Sequence, residues 1–327
     1  MVIALIGATG LVGKEIIKKL EINKKFKNYD FLFVASKKNK NRHVIFKKKQ
    51  HKIISIKEAI KNKPNYALFS AGSEVSRKFA KKFTNTGTTV IDNSSEFRMK
   101  KNHKLIVPEI NGKKIKKEDK IIANPNCSTI QLVLPLFSLH EKIGIKRLIV
   151  STYQSVSGSG QRGVDQLQQE IKEKKVKNPA YLKQIYNNAI PHCDVFLKNG
   201  YTKEEEKIIK ETNKIFESKI KITATAVRVP TTGGHGESVN VELKKQTSIA
   251  RIINIISKQK GVQVSTNENY ITPIEAKGSD DVFVSRIRKD TSCQNSFNMW
   301  IVADPLKKGA ATNAMQILEK IISLNNQ

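Results

Sequence analysis

Apolar positions in the first third of the chain fall into short blocks separated by stretches of helical periodicity. Val2–Ile6 is an unbroken β-prone run, a Gly-rich turn follows, and Val12, Ile16, Ile17 and Leu20 then recur at helical spacing. Residues 31–35, 66–70 and 89–91 repeat the strand pattern, with helical stretches such as 73–83 between them. Strands alternating with helices predict an α/β, Rossmann-like, doubly wound parallel sheet. After about residue 126 the rhythm changes. Residues 148–152, 220–228, 238–243, 282–289 and 297–303 are β-prone, and the helical segments at 202–216 and 248–259 interrupt them only twice. Many strands with few crossovers predict a second, α+β domain on a mixed sheet. The last stretch, 309–324, reads as a helix with Ala310, Ala314, Ile317 and Ile321 on one side. The expected division is a first domain of residues 1–125 completed by 307–327, and a second of residues 126–306. A chain of 327 residues is long for one core and comfortable for two.

Composition adds one puzzle and several exclusions. Hydrophobic content of 39% is enough for a real interior, so the chain is not a disordered tail. No apolar run approaches the roughly 20 residues of a membrane span. Met1 leads straight into a strand without a signal-peptide pattern, so a cytoplasmic protein is expected. Cys127, Cys193 and Cys293 are scattered and show no Cys-x-x-Cys spacing, which suggests neither a disulfide framework nor a metal site. The puzzle is a formal net charge of +30. Clustered cations would suit nucleic acid. Here the charge is mostly Lys, spread from Lys14 to Lys320, and accompanied by many Ile and Asn. That pattern fits an A/T-biased coding sequence, and no nucleic-acid motif accompanies it.

Candidate chemistry begins at the first turn. Gly7-Ala8-Thr9-Gly10-Leu11-Val12-Gly13 lies between a strand and a helix, where missing side chains let backbone N–H groups approach a pyrophosphate. Gly7, Thr9, Gly10, Leu11, Val12 and Gly13 are therefore the expected dinucleotide contacts. The second strand ends in Ala35-Ser36-Lys37-Lys38 rather than in an acidic residue. A hydroxyl followed by cations, Ser36 and Lys38, suits the 2′-phosphate of NADP, although a Lys-rich loop would look the same. Further on, Asn124-Pro125-Asn126-Cys127-Ser128-Thr129 precedes an apolar helix. A helix N-terminus lowers a thiol pKa, which makes Cys127 a candidate nucleophile.

These last residues resemble the nucleophile motif of the aspartate-semialdehyde dehydrogenases. Ser151-Thr152-Tyr153-Gln154 with Ser157-Gly158, Arg228-Val229-Pro230 with Gly234-His235-Gly236-Glu237, and Gly309-Ala310-Ala311-Thr312-Asn313-Ala314 accompany it in family order. The resemblance implies an NADPH-dependent enzyme of the aspartate-derived lysine, threonine and methionine pathways, converting aspartyl phosphate to the semialdehyde through a Cys127 thioester. It implies His235 as an acid/base titrating near neutrality and Gln154 as the residue orienting the acyl group. Arg228 would take the α-carboxylate and Glu204 the amino group. Arg98, Asn126 and Lys207 would hold the phosphate, and Ser157 and Gly158 would lie against the cofactor. Glu204 and Lys207, at i and i+3, read without the resemblance as a solvated helix pair. A homodimer, or a dimer of dimers, is implied.

Two positions depart from the family pattern. Pro305 stands in Asp304-Pro305-Leu306 where an Asn near the nicotinamide is usual, and Lys38 replaces a usual Arg. The related N-acetyl-glutamyl-phosphate reductases usually have Gly before the nucleophile and an aromatic residue after it, so Asn126 and Ser128 point away from them. A catalytically silent paralogue acting as a binding partner is the remaining alternative.

Overall fold

The computed structural model describes residues 1–36, 43–266 and 268–326. Lys38 and its neighbours at 37–42 lie outside the described residues. The chain divides into two compact units, residues 1–125 with 310–327, and residues 126–309.

In chain order the first unit runs β1 (Val2–Ile6), α1 (Leu11–Ile22), β2 (Asp30–Val34), β3 (His43–Phe46), β4 (Lys49–Lys52) and α2 (Ile56–Lys61). It continues with β5 (Tyr66–Phe69), α3 (Ser73–Thr84), β6 (Thr89–Asp92), β7 (Lys104–Leu105), α4 (Pro108–Asn111) and β8 (Ile121–Ala123). Six strands pair in the order β2-β1-β5-β6-β8-β7, every pair parallel. Central strands β5 and β6 are buried along their whole length, as a sheet covered on both faces requires.

Part of the Lys-rich stretch is structured. His43–Phe46 and Lys49–Lys52 form an antiparallel hairpin, anchored by Phe46 among Phe31, Phe33 and His51. The alternation that makes it a strand pair is masked in the sequence by the lysines on its exposed face.

The second unit contains α5 (Cys127–Lys142), β9 (Ile145–Ser155), α6 (Gln161–Ile171), α7 (Lys203–Phe216), β10 (Lys221–Val229) and β11 (His235–Leu243). Then come α8 (Ile249–Ser257), β12 (Val262–Val264), β13 (Val282–Lys289) and β14 (Ser296–Ala303). Its sheet has the order β10-β9-β11-β14-β13-β12 and is mixed: the two outer pairs are parallel and the three inner ones antiparallel.

The expected helix from residue 309 starts later than the periodicity suggests. A π-helical turn occupies Lys307–Thr312, and α9 (Asn313–Asn325) follows it. Gly309 within that turn packs on Cys127, where even one added carbon would lie 2.8 Å from the Cys127 Cβ. A π-turn at such a place is a local widening that π-bulges near functional sites often show. Helix α9 then buries Ala314, Ile317, Leu318 and Ile321 in the core of the first unit, with Ile3, Leu5, Ile16 and Phe33. Among the described residues no helix is long and apolar enough to cross a membrane.

Candidate active site

The second unit gathers its candidate chemistry at one end of the mixed sheet. Parallel pairing sets Arg228 on β10 directly beside Gln154 on β9. On the other side of β9, Gly236 of β11 pairs with Tyr153, which puts His235 one step further toward the same end.

Helix α5 begins at Cys127, and Asn126 is its cap. The Asn126 Oδ1 accepts from the backbone N–H groups of Ser128 at 3.0 Å and Thr129 at 3.2 Å. This satisfies two of the donors a helix start leaves over. The other end of the same amide donates to Glu204 Oε1 at 2.9 Å, and the Asn126 N–H donates to Glu211 at 2.7 Å. Cys127 is half-buried and takes part in no disulfide. Gln154, 1% exposed, reaches the same helix turn: its Nε2 donates to Ser128 Oγ at 3.0 Å and to Glu204 Oε1 at 3.2 Å.

Glu204 and Lys207 do form an i,i+3 pair on α7, but it is not a solvated one. Glu204 is buried, its Oε2 lies 3.0 Å from Lys207 Nζ, and Lys207 also holds Asp194 at 2.7 Å. Burial alone would raise the Glu204 carboxyl. The Lys207 ammonium outweighs it, with help from Asn126 and Arg228, and holds the carboxyl at about 2. Glu204 and Asp194 in turn push the Lys207 ammonium upward against its own burial.

Arg228 is buried and anchored at one arm, its NH1 donating to Ser155 O at 2.8 Å, while its Nε has no partner among the described residues. The ring of Tyr181 lies 5.9 Å from its guanidinium carbon, a cation–π distance. His235 is fully buried. Its Nδ1 accepts the Ser155 N–H at 3.0 Å and lies 3.1 Å from Ser155 Oγ. The proton of the neutral ring therefore belongs on Nε2, which has no hydrogen-bond partner among the described residues. The expectation of titration near neutrality is corrected here. Burial, and secondarily the Arg228 charge, lower the imidazole to about 3, so the ring is neutral.

Gly158 lies beside both groups. A Cβ there would come within 2.7 Å of His235 Nε2 and 3.1 Å of Arg228 NH1. Ser157, also buried, bonds Ser155 Oγ at 2.7 Å. In the second unit, then, the structure brings together Asn126, Cys127, Gln154, Ser157, Gly158, Glu204, Lys207, Arg228 and His235. Ser155 and Gln131 join them without having been named from the sequence, and so does Glu237, which the sequence offered only as part of a motif and without a role. The signal was available: Gln131 is one turn after Cys127, and Glu237 is two strand positions after His235.

The first unit has its own cleft of about 400 Å³, lined by Gly7, Thr9, Gly10, Ser36, Ser70 and Phe79 among others. Gly7 has φ +94°, and a Cβ on it would sit 2.2 Å from Ser70 O. A Cβ on Gly13 would sit 2.2 Å from Gly7 O, so only glycine lets the α1 start fold this tightly. Helix α1 opens at Leu11 and Val12, where N–H groups have no carbonyl of their own helix to meet. A dinucleotide phosphate fits such a cradle. Arg98 is also in this unit, where its Nε donates to Asn124 O at 2.9 Å and its NH2 to Asn93 O at 2.7 Å. Pro305 sits in an intact turn. The Asp304 carboxylate accepts from Gly278 N at 2.7 Å and from Leu306 N at 2.8 Å, and neither bond needs an N–H at position 305.

Fold and sites of this kind define a semialdehyde dehydrogenase, and two family patterns match accordingly. The semialdehyde dehydrogenase NAD binding domain matches residues 2–118, and the semialdehyde dehydrogenase dimerisation domain matches residues 136–308. The chain is 42% identical to the aspartate-semialdehyde dehydrogenase of Aquifex aeolicus, over 98% of this chain and 97% of that one. It is 40% identical to that of Bacillus subtilis, over 99% and 98%. The crystal structure of aspartate semialdehyde dehydrogenase II from Vibrio cholerae complexed with ASA superposes with a TM-score of 0.94 at 37% identity, covering 98% of each chain. The chain belongs to the aspartate-semialdehyde dehydrogenase family.

Proposed function

We propose that this chain reduces L-4-aspartyl phosphate to L-aspartate 4-semialdehyde with NADPH, in aspartate-derived amino-acid biosynthesis, through a thioester on Cys127. The observation that carries the reading is the matched set of unused valences around the helix start that bears Cys127. Glu204 accepts two bonds at Oε1 and one at Oε2, and a carboxylate has room for about four. One substrate ammonium donor fills the remainder. Lys207 spends two of its three N–H bonds on Asp194 and Glu204, which leaves one for a phosphate oxygen. Arg228 keeps its Nε side free for a two-pronged grip on the α-carboxylate.

In this reading the Cys127 sulfur attacks the acyl carbon, the C–O bond to phosphate breaks, and inorganic phosphate leaves. NADPH held in the cleft of the first unit would supply the hydride needed to reduce the thioester carbon. The resulting thiohemiacetal collapses to the aldehyde and the free thiol. His235 holds a proton at Nε2 and donates a hydrogen bond to the acyl oxygen as negative charge develops there. Substrate phosphate and carboxylate raise the ring toward the range in which that proton can be transferred and returned. Gln154 orients the acyl oxygen, and Asn126 and Arg98 assist at the phosphate. Gly7, Thr9, Gly10, Leu11, Val12 and Gly13 would cradle the cofactor pyrophosphate, and Ser36 with Lys38 would read its 2′-phosphate, which selects NADP over NAD.

The first unit is proposed as the cofactor domain and the second as the catalytic domain that forms a homodimer, in a cytoplasmic enzyme. The test is phosphate-dependent NADP reduction with aspartate semialdehyde against N-acetyl-glutamate semialdehyde. Acetylation removes the ammonium and leaves Glu204 short of its partner, so a preference of at least about a thousandfold in kcat/KM is expected. Comparable rates with the two aldehydes would overturn the substrate assignment.

A further inference from the structure

Glu237 follows His235 by two residues on β11, so both side chains leave the same face of the sheet, while Gly236 between them backs onto the Trp300 indole. Glu237 is fully buried, and among the described residues neither carboxyl oxygen has a hydrogen-bond partner. An ionised carboxylate in such surroundings is among the most costly groups a protein interior can hold. The amide facing it belongs to Gln131 on α5, one helical turn past Cys127.

The orientation of that amide is decided by its other end. Gln131 Nε2 donates to the His235 carbonyl at 3.3 Å, which turns Oε1 away from that carbonyl, and Oε1 is buried without a partner. A carbonyl oxygen can be met only by a donor. A carboxyl group supplies one only while it keeps its proton. The negative charge of Glu204 on α7 also acts on Glu237 and disfavours its ionisation. Burial, the larger cause, and Glu204 together push the Glu237 carboxyl well above its ordinary value, against the opposing Gln131 amide.

We propose that Glu237 is a positioning residue, a neutral carboxylic acid whose O–H donates to Gln131 Oε1, so that the pair fastens the start of β11, carrying His235, to the start of α5, carrying Cys127. This deepens the thioester reading above and rests on it for its kinetic consequences. Ionised, Glu237 would set acceptor against acceptor at Gln131 and loosen the link between the two elements.

The experiment has two arms. Infrared difference spectroscopy of the unliganded enzyme at neutral pH, wild type minus Glu237→Gln, should show the carbonyl band of a buried protonated carboxylic acid. A carboxylate band in its place overturns the proposal. This arm requires no turnover, so it is separate from any failure of the substrate assignment. In the kinetic arm, Gln131→Leu and Glu237→Leu should each lower kcat about 10²-fold, as a displacement near 1 Å does, with KM for aspartate semialdehyde close to wild type. Glu237→Gln, whose amide N–H replaces the lost O–H, should restore most of kcat. A Glu237→Gln enzyme as impaired as Glu237→Leu would refute the neutral-donor role.

Discussion

Replacing Gly158 by alanine adds one carbon at a crowded point of the candidate site, against both His235 and Arg228. Gly158 lies in the short turn Val156–Ser159 after β9, and its φ is not in the left-handed region, so the backbone accepts alanine without strain. The effect is therefore steric. The new Cβ would stand 2.7 Å from His235 Nε2, 2.8 Å from Cε1 and 3.1 Å from Arg228 NH1. Ordinary contacts to carbon need about 3.5–4.0 Å, so the ring must retreat by roughly 1 Å. It cannot do so freely, because Ser155 N–H holds Nδ1 at 3.0 Å, and Ser155 O holds the neighbouring Arg228 arm at 2.8 Å. A misplacement of about 1 Å costs about 10²-fold in rate, and overpacking of this size about 1–3 kcal/mol in stability. Steady-state kinetics of Gly158→Ala, with a thermal melt and an NADPH titration, should show a folded enzyme with kcat about 10²-fold lower. KM for the aldehyde should rise through the displaced Arg228. A variant with weakened NADPH binding but full kcat at saturating cofactor would refute this argument and return Gly158 to a cofactor contact.

Further outcomes follow from the charges. Glu204 is held at about 2 against an ordinary 4.5, so its contribution is complete above about pH 4.5 and is lost as pH falls toward 2. That interval corresponds to about 3 kcal/mol. Urea unfolding at neutral and acid pH should find Glu204→Gln less stable by about that much at neutrality, with less of the wild-type acid sensitivity. Equal stability of the two proteins at neutral pH would contradict it. His235 resists protonation down to about 3, so folding loses stability as pH drops below the ordinary 6.5, where the unfolded ring takes a proton and the folded one does not. In the free enzyme the kcat/KM profile should lack a limb near 6.5 from this residue; such a limb, abolished by His235→Asn, would contradict the assignment. Lys38→Glu should weaken NADPH by on the order of 1.5–3 kcal/mol and NADH far less, and equal losses in binding titrations would remove Lys38 from cofactor choice.

The alternation of strands and helices up to residue 123, and the strand-rich remainder, are legible because each half has a simple hydrophobic period. The hairpin at His43–Phe46 and Lys49–Lys52 is hidden by lysines on its exposed side. The late start of α9 is hidden too, because a π-turn keeps the same Ala and Gly residues while shifting their phase. Cys127 and His235 are legible through their Gly, Asn and Pro surroundings, which are local. The lowered imidazole is not, since burial and the approach of Arg228 depend on how β9 is inserted between β10 and β11 in the sheet. The same holds for Glu204. Its i,i+3 spacing to Lys207 suggests a surface pair, and only the Asn126 and Gln154 amides, 78 and 50 residues away, reveal a buried anion. Glu237 is visible in its motif but suggests no role there, because a Glu on a strand normally points to solvent.

The central claim is that carbon from the substrate is carried covalently on Cys127. Rapid acid quench of the enzyme with aspartyl phosphate in the absence of NADPH, followed by peptide mass spectrometry, tests it directly. The account predicts one equivalent of an aspartyl adduct on the peptide containing Cys127, released by hydroxylamine and absent from Cys127→Ala. An adduct on Cys193 or Cys293, or unchanged turnover in Cys127→Ala, would contradict it.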